Sequence, residues 1–318
     1  MEVKQANELA YALVEQLGKV LVGQEEVLYQ AVTALLAGGH ALLEGVPGTG
    51  KTLLGRALAV VTGTRFKRIQ FTPDLMPSDI VGVNVYNTAT GEFLYRPGPL
   101  HADVVLADEI NRAPAKTQSA LLEAMQEHQV TVDGTAHPMS DVFTVFATQN
   151  PVEFEGTYPL PEAEVDRFMM KILVDYPPAE EEGVILDKIH DGFRPGDLST
   201  VDLQSVTDAA MLSELRQTVR RLHVEVPVRR YITEIVRQTR SLPQVALGAS
   251  PRAGVIMLQA SQAYAVIAGR EFVTPDDVKT VAASVLRHRL VLHPEYELEA
   301  VTADDCIVDL LDSIDVPR

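Results

Sequence analysis

Tryptophan is absent from this chain and aromatic residues make up only 6% of its 318 positions. It therefore has few of the flat platforms on which proteins stack single-stranded nucleic acid. Cysteine occurs once, at Cys306, which excludes an intramolecular disulfide. Cys306 also lies far in sequence from every motif below, so a buried, inert thiol is expected. Positive charge is scarce: 27 Lys and Arg face 44 Asp and Glu, for a net charge of −17. Such a field repels phosphate backbones and anionic lipid unless a local basic stripe overcomes it, so no nucleic acid partner is expected. No apolar run, residues 31–37 included, approaches the ~20 residues of a bilayer span, and the N-terminus has no signal-peptide core. The expectation is a cytoplasmic protein without membrane insertion.

Hydrophobic residues amount to 46% and charged residues to 22%, without low-complexity tracts, which predicts a globular chain of about two domains. Up to about residue 175, short β-like runs alternate with helical patterns, the signature of a parallel sheet between helices. Residues 40–44, 66–70, 104–107, 142–148 and 168–174 are the core strands. Most are short and mainly apolar, as strands buried on both faces should be. The run 66–70 alternates imperfectly through Lys67 and Arg68 and is assigned to a sheet edge. Hairpin-like insertions are read at 83–95 and at 130–137, the second around the Asp133-Gly134 turn. Beyond Tyr176-Pro177-Pro178 the β signals fade. The division expected is an α/β core over 1–176, a linker or crossover over 177–200, and an all-helical lid over 201–318. Helices are read near 201–222, 228–240, 251–268, 275–289 and 298–313, with Ser250-Pro251 and Thr274-Pro275 fixing two starts.

Gly45-Val46-Pro47-Gly48-Thr49-Gly50-Lys51-Thr52 fits GxxxxGK[ST] between a strand and a helix that begins near Leu53. Glycines let the backbone approach phosphate, so that its N–H groups and the helix N-terminus cradle the anion. Lys51 would reach the β- and γ-phosphates of ATP, and the Thr52 hydroxyl would ligate Mg²⁺. The strand 104–107 runs into Asp108 and Glu109, whose side chains alternate in direction and suit different tasks. Asp108 would bind Mg²⁺, through water, and Glu109 would polarise the attacking water as general base. Asn150, after the strand 142–148, reads either as Asn-Pro turn chemistry or as a water-positioning amide at the same sheet edge.

These elements resemble the AAA+ ATPases. The run Leu106-Ala107-Asp108-Glu109-Ile110-Asn111-Arg112-Ala113-Pro114 through Leu121-Leu122-Glu123-Ala124-Met125-Gln126-Glu127 resembles the MoxR family in particular. Gly50 stands where many members carry alanine. The resemblance implies a P-loop α/β core with five parallel strands and two hairpin insertions, then a smaller helical lid. It also implies a homo-oligomeric ring, usually a hexamer, with ATP between subunits. In it Arg167 matches the arginine finger reaching a neighbour's site, with a surface salt bridge to Asp166 or Glu164 as the alternative. Arg252 matches sensor 2, meeting the γ-phosphate from a lid helix, or is an ordinary exposed arginine. Val22, Gly23 and Gln24 match the stretch that meets adenine, although Gly23 could simply form a turn. Arg112 is either an inter-subunit contact or support for the helix beginning near Ala115.

The function expected is Mg-ATP hydrolysis driving the remodelling, assembly or activation of protein clients, often with a von Willebrand factor A domain partner. A nucleic-acid motor of the helicase-related clade is the alternative, disfavoured by the acidic charge and by insertions without Lys/Arg clusters. A scaffold that binds ATP without turnover is disfavoured by the presence of Glu109, Asn150 and Arg167. A chelatase-type subunit would differ only in client, and no Cys/His metal cluster is apparent.

Overall fold

The computed structural model describes residues 1–151 and 156–317. Two amphipathic helices, α1 (Val3–Gly18) and α2 (Glu25–Ala37), lead in, and α2 stops at Gly38, whose left-handed φ of 74° turns the chain into β1 (Ala41–Glu44). α3 (Lys51–Val61), β2 (Phe66–Gln70) and the short α4 (Pro77–Val81) follow. The first insertion is the hairpin β3 (Gly82–Asn87) and β4 (Glu92–Pro97). Next come β5 (Val104–Asp108) and α5 (Ala115–Glu127), then the second hairpin, β6 (Gln129–Val132) and β7 (Thr135–Pro138). β8 (Thr144–Gln149), the one-turn α6 (Glu162–Val165) and β9 (Met170–Leu173) complete the α/β part.

The sheet has the order β2–β5–β8–β1–β9, and all its pairings are parallel. β5 is buried along its whole length, which is why its sequence is apolar without alternation. β2 lies at an edge, in agreement with its Lys67 and Arg68. Because β5, β8 and β1 are adjacent, the chain segments leaving their carboxyl ends are forced together.

The remaining chain is mainly helical: α7 (Ala179–His190), α8 (Ala209–Arg220), α9 (Val226–Gln238), α10 (Pro251–Ile267), α11 (Pro275–Leu286), α12 (Pro294–Leu298) and α13 (Ala303–Ser313). Several sequence expectations change here. The stretch 177–200, read as a crossover, contains the twelve-residue α7. The helix expected at 201–222 begins only at Ala209, because the Asp208 carboxylate caps the Met211 N–H while Val206 N–H bonds back to Val61 O. The helix expected at 298–313 is interrupted, with Ala300 at φ 62° and a Thr302/Asp305 capping box restarting it. The lid also holds a small antiparallel ribbon, β10 (Val245–Leu247) with β11 (Val291–Leu292).

One buried cluster joins the α1, α2, α3 side of the sheet to the lid helices, for example through Leu35, Leu215, Met257 and Ala260. A second, around Phe71, Leu121, Met125, Phe143 and Phe168, fills the opposite face. α10 packs on α2 and α1, so the lid is seated against that helical layer. Truncating a seam residue such as Leu35 to alanine would cost about 2–5 kcal/mol. Cys306 is buried as expected, and burial raises its thiol pKa. Among the described residues no helix is long and apolar enough to cross a membrane.

Candidate nucleotide site

Gly48 and Gly50 take φ values of 90° and 85°, a conformation that a side chain would strain. Gly45 is required for a different reason: a Cβ there would come within 2.2 Å of the Val174 carbonyl. The loop delivers the chain into α3 with no side chain capping its first turn, so the N–H groups there are available to an anion. The Lys51 ammonium donates to the carbonyls of Gly45 (2.5 Å) and Val46 (2.7 Å). Burial lowers its pKa, while Asp108 and Glu109 pull in the opposite direction.

A cavity of about 590 Å³ opens over this loop, a size ordinary for small-molecule and cofactor sites. Pro47, Gly48, Thr49, Gly50, Lys51, Thr52 and Leu53 form one wall, and Asp108, Glu109 and Asn150 form the polar floor. Val22 and Gln24 line it too, and the Gln24 amide donates to Thr49 O at 3.0 Å. Gly23 does not line it; its φ of 68° makes the turn into α2, and a Cβ there would press on Glu181 of α7. Leu21, Val22, Ile185, Ile189 and Phe193 give one end of the cavity an apolar character, and the last three come from α7 and the turn after it.

The acidic pair is held by residues that the motifs do not contain. Asp108 Oδ2 accepts from both Nε (3.0 Å) and Nη2 (2.6 Å) of Arg68 and faces the Thr52 hydroxyl at 3.4 Å. Its Oδ1 accepts from Thr148 Oγ1 at 2.6 Å, and the Thr148 Oγ1 in turn accepts the Glu109 N–H at 2.8 Å. Glu109 sits at φ 57°, an uncommon conformation for a residue with a side chain that costs of order 1–3 kcal/mol. Its Oε2 accepts from Gln70 Nε2 (2.7 Å) and Arg112 Nη1 (3.0 Å). Arg112 therefore pairs with the carboxylate instead of bracing α5. Parallel register explains the three additions, since β2 pairs Gln70 with Asp108 and β8 sets Thr148 beside the end of β5.

Arg167 and Arg252 lie elsewhere. They line a second cleft of about 240 Å³ together with Gly38, Gly39 and His40, residues that precede β1, whereas the P-loop follows it. Four β1 residues span roughly 13 Å, so neither arginine faces its own P-loop. Arg252, expected over the γ-phosphate from the lid, is displaced because α10 packs on α2 with its N-terminus at this opposite end of the sheet. The salt bridge considered for Arg167 does not form: Asp166 accepts from Arg289 at 2.7 Å and Glu164 from Ser119. Arg167 instead donates to Leu122 O and the Gln126 side chain, and its buried Nε–H finds no acceptor among the described residues.

Comparison with known proteins agrees with this construction. Residues 40–170 match the family described as ATPase family associated with various cellular activities, and residues 237–310 match the AAA lid domain. The chain is 47% identical to protein YeaC of Bacillus subtilis, over 96% of this chain and 93% of that one. It is 42% identical to Chaperone MoxR1 of Mycobacterium tuberculosis, over 94% and 80%. A crystal structure from Cytophaga hutchinsonii superposes with a TM-score of 0.90 at 38% identity, covering 99% of this chain and 97% of that one. A P-loop core of five parallel strands with a helical lid, and relatives of this likeness along nearly the whole chain, make it a member of the MoxR family of AAA+ ATPases.

Proposed function

We propose that the chain hydrolyses ATP with Mg²⁺ in sites completed by a second copy, in a hexameric ring, and that the cycle remodels, assembles or activates protein clients. The observation that carries this reading is the division of catalytic groups between the two ends of one sheet. Lys51, Asp108, Glu109 and Asn150 share a cavity, while Arg167 and Arg252 share a cleft at the other end. Cations with no ionic partner among the described residues suit charge that develops in another subunit's site.

The residues fit Mg²⁺. Thr52 and Asp108 present oxygen donors 3.4 Å apart, and no cluster of three acidic, His or Cys ligands exists among the described residues. That sparse donor set matches a cation whose remaining ligands are water and phosphate. When bound, the cation neutralises phosphate charge. The P-loop N–H groups and Lys51 hold the triphosphate, and the apolar end at Val22, Ile185 and Phe193 takes the base. Glu109 accepts a proton from water as the water attacks the γ-phosphorus and the bond to the β–γ bridging oxygen breaks, releasing ADP and phosphate, and Asn150 orients that water. The client role draws on the MoxR1 relative, which is called a chaperone; a von Willebrand factor A domain protein is the partner we would test first.

The deciding experiment is ATPase rate against protein concentration, with light scattering in the presence and absence of Mg-ATP. Specific activity should rise as a ring-sized species appears. Concentration-independent turnover by a monomer would remove Arg167 and Arg252 from the reaction.

A further inference from the structure

α7 is a surface helix none of whose residues is buried. Its sequence is nevertheless not that of a purely solvated helix. Leu186 is 70% exposed and Ile189, three residues on along the same face, is 42% exposed, with Glu182 one turn before Leu186 and Asp187 beside it. The inner side, through Ile185 and Lys188, borders the nucleotide cavity. An apolar ridge edged by carboxylates therefore stands beside that cavity.

A matching groove exists on the lid. Between α9 and α10 a cavity of about 460 Å³ is lined by Ile232, Val236, Val255 and Leu258, and edged by Arg229, Arg237 and Arg240. No Asp or Glu lines it, and none of the three arginines is in an ion pair among the described residues. In a chain of net charge −17 this is a local reversal of sign. Val255, 57% exposed, lines both this groove and the cleft of Arg167 and Arg252. The basic groove thus continues the arginine cleft, as the acidic ridge continues the nucleotide cavity.

We infer that the α9–α10 groove of one copy seats the α7 ridge of a second copy, with Leu186 and Ile189 against Val255 and Leu258 and the arginines against Glu182 and Asp187. The inference rests on the composite site proposed above and specifies the surface that would align it. Delivering one copy's arginine cleft to another's P-loop cavity brings the flanking groove alongside the flanking helix. The contact is heterologous, two different surfaces meeting, so it repeats around a ring. Opposite charge at the rim speeds and orients docking, while the desolvated apolar centre holds it.

The test is exchange of charge between chains. Glu182→Arg with Asp187→Arg reverses the ridge, and Arg229→Glu with Arg237→Glu reverses the groove. By sedimentation with Mg-ATP, each double variant alone should need about tenfold more protein to assemble. An equimolar mixture should return to the wild-type midpoint, because in alternation reversed ridge meets reversed groove and native meets native. Titration with a fluorescent ATP analogue checks that each variant is folded and tests the nucleotide reading separately. Variants that bind nucleotide but assemble like wild type, or whose mixture fails to recover, would overturn the contact. So would a wild-type chain that stays monomeric at every concentration while binding nucleotide. Failure of the titration with charge exchange intact would instead overturn the nucleotide reading alone. As a check that reverses no charge, Leu186→Cys and Leu258→Cys placed in separate chains should cross-link only between chains; a cross-link no stronger than one from an α13 cysteine, such as Val308→Cys, would also count against the contact.

Discussion

The two ends of the parallel sheet differ in how their charges are balanced. At the carboxyl end every named charge is answered nearby: Arg68 by Asp108, Arg112 by Glu109, and Lys51 by loop carbonyls. At the amino end Arg167 and Arg252 line a cleft with no carboxylate among its described lining residues; of the acids close in sequence, Asp166 is taken by Arg289 and Glu164 accepts from Ser119. An end whose charges are internally satisfied can hold itself in shape before anything binds. On the reading proposed above, an end with unneutralised cations is arranged toward something outside the chain. The difference separates residues that build a site from residues that the chain offers elsewhere.

The strongest way to break this comparison is Arg167→Ala. If Arg167 acts on a neighbour's phosphate, turnover falls by about 10³–10⁵-fold. Mixing the variant with Lys51→Ala should then restore part of the rate, since each supplies what the other lacks. No recovery in rings shown to contain both chains would return Arg167 to a role within its own subunit. Glu109→Gln should lower turnover by about 10²–10⁴-fold with ATP still bound, because the loop contacts survive while the base is lost. A rate equal to wild type would remove Glu109 from proton transfer.

A third prediction concerns stability at the amino end. His40 is buried, donates from Nε2 to Met125 O and accepts the Val145 N–H at Nδ1. Burial, with His128 and Arg216 nearby, lowers its pKa to about 3 from an ordinary 6.5. The folded chain thus binds fewer protons at this residue than the unfolded one. The stabilising contribution is complete above pH 6.5 and is lost as pH falls from there toward 3, at up to about 1.4 kcal/mol per unit. Denaturant unfolding of wild type and His40→Asn at pH 7 and pH 5 should show a shallower dependence in the variant; equal slopes would mean that His40 is not a source of acid sensitivity. The smallest effect is expected from Gln70→Ala, which frees Glu109 Oε2 of one donor. Basal turnover should rise about threefold, the scale of one net hydrogen bond, and an equal fall would make Gln70 a positioning residue.

Contiguous chemistry was legible in the sequence. The P-loop, Asp108 and Glu109 are each set by a local pattern, and the edge position of β2 followed from Lys67 and Arg68. Arg68, Gln70 and Thr148 were not legible as site residues, because what brings them to Asp108 and Glu109 is register across strands about forty residues apart. For Arg252 the start of α10 is readable from Ser250-Pro251, but its seat on α2, which decides which end of the sheet the side chain reaches, is not. The late start of α13 did have a signal, Thr302-Ala303-Asp304-Asp305, a capping box that the apolar periodicity on either side concealed.

β1 is four residues long, and it separates the P-loop from the arginine cleft. On the reading proposed here that short span acts as a dosage meter. A solitary copy holds nucleotide yet cannot spend it, so fuel consumption depends on how many copies share the same volume. Output would then climb more steeply than abundance, and a modest change in expression would switch the machine between idle and running.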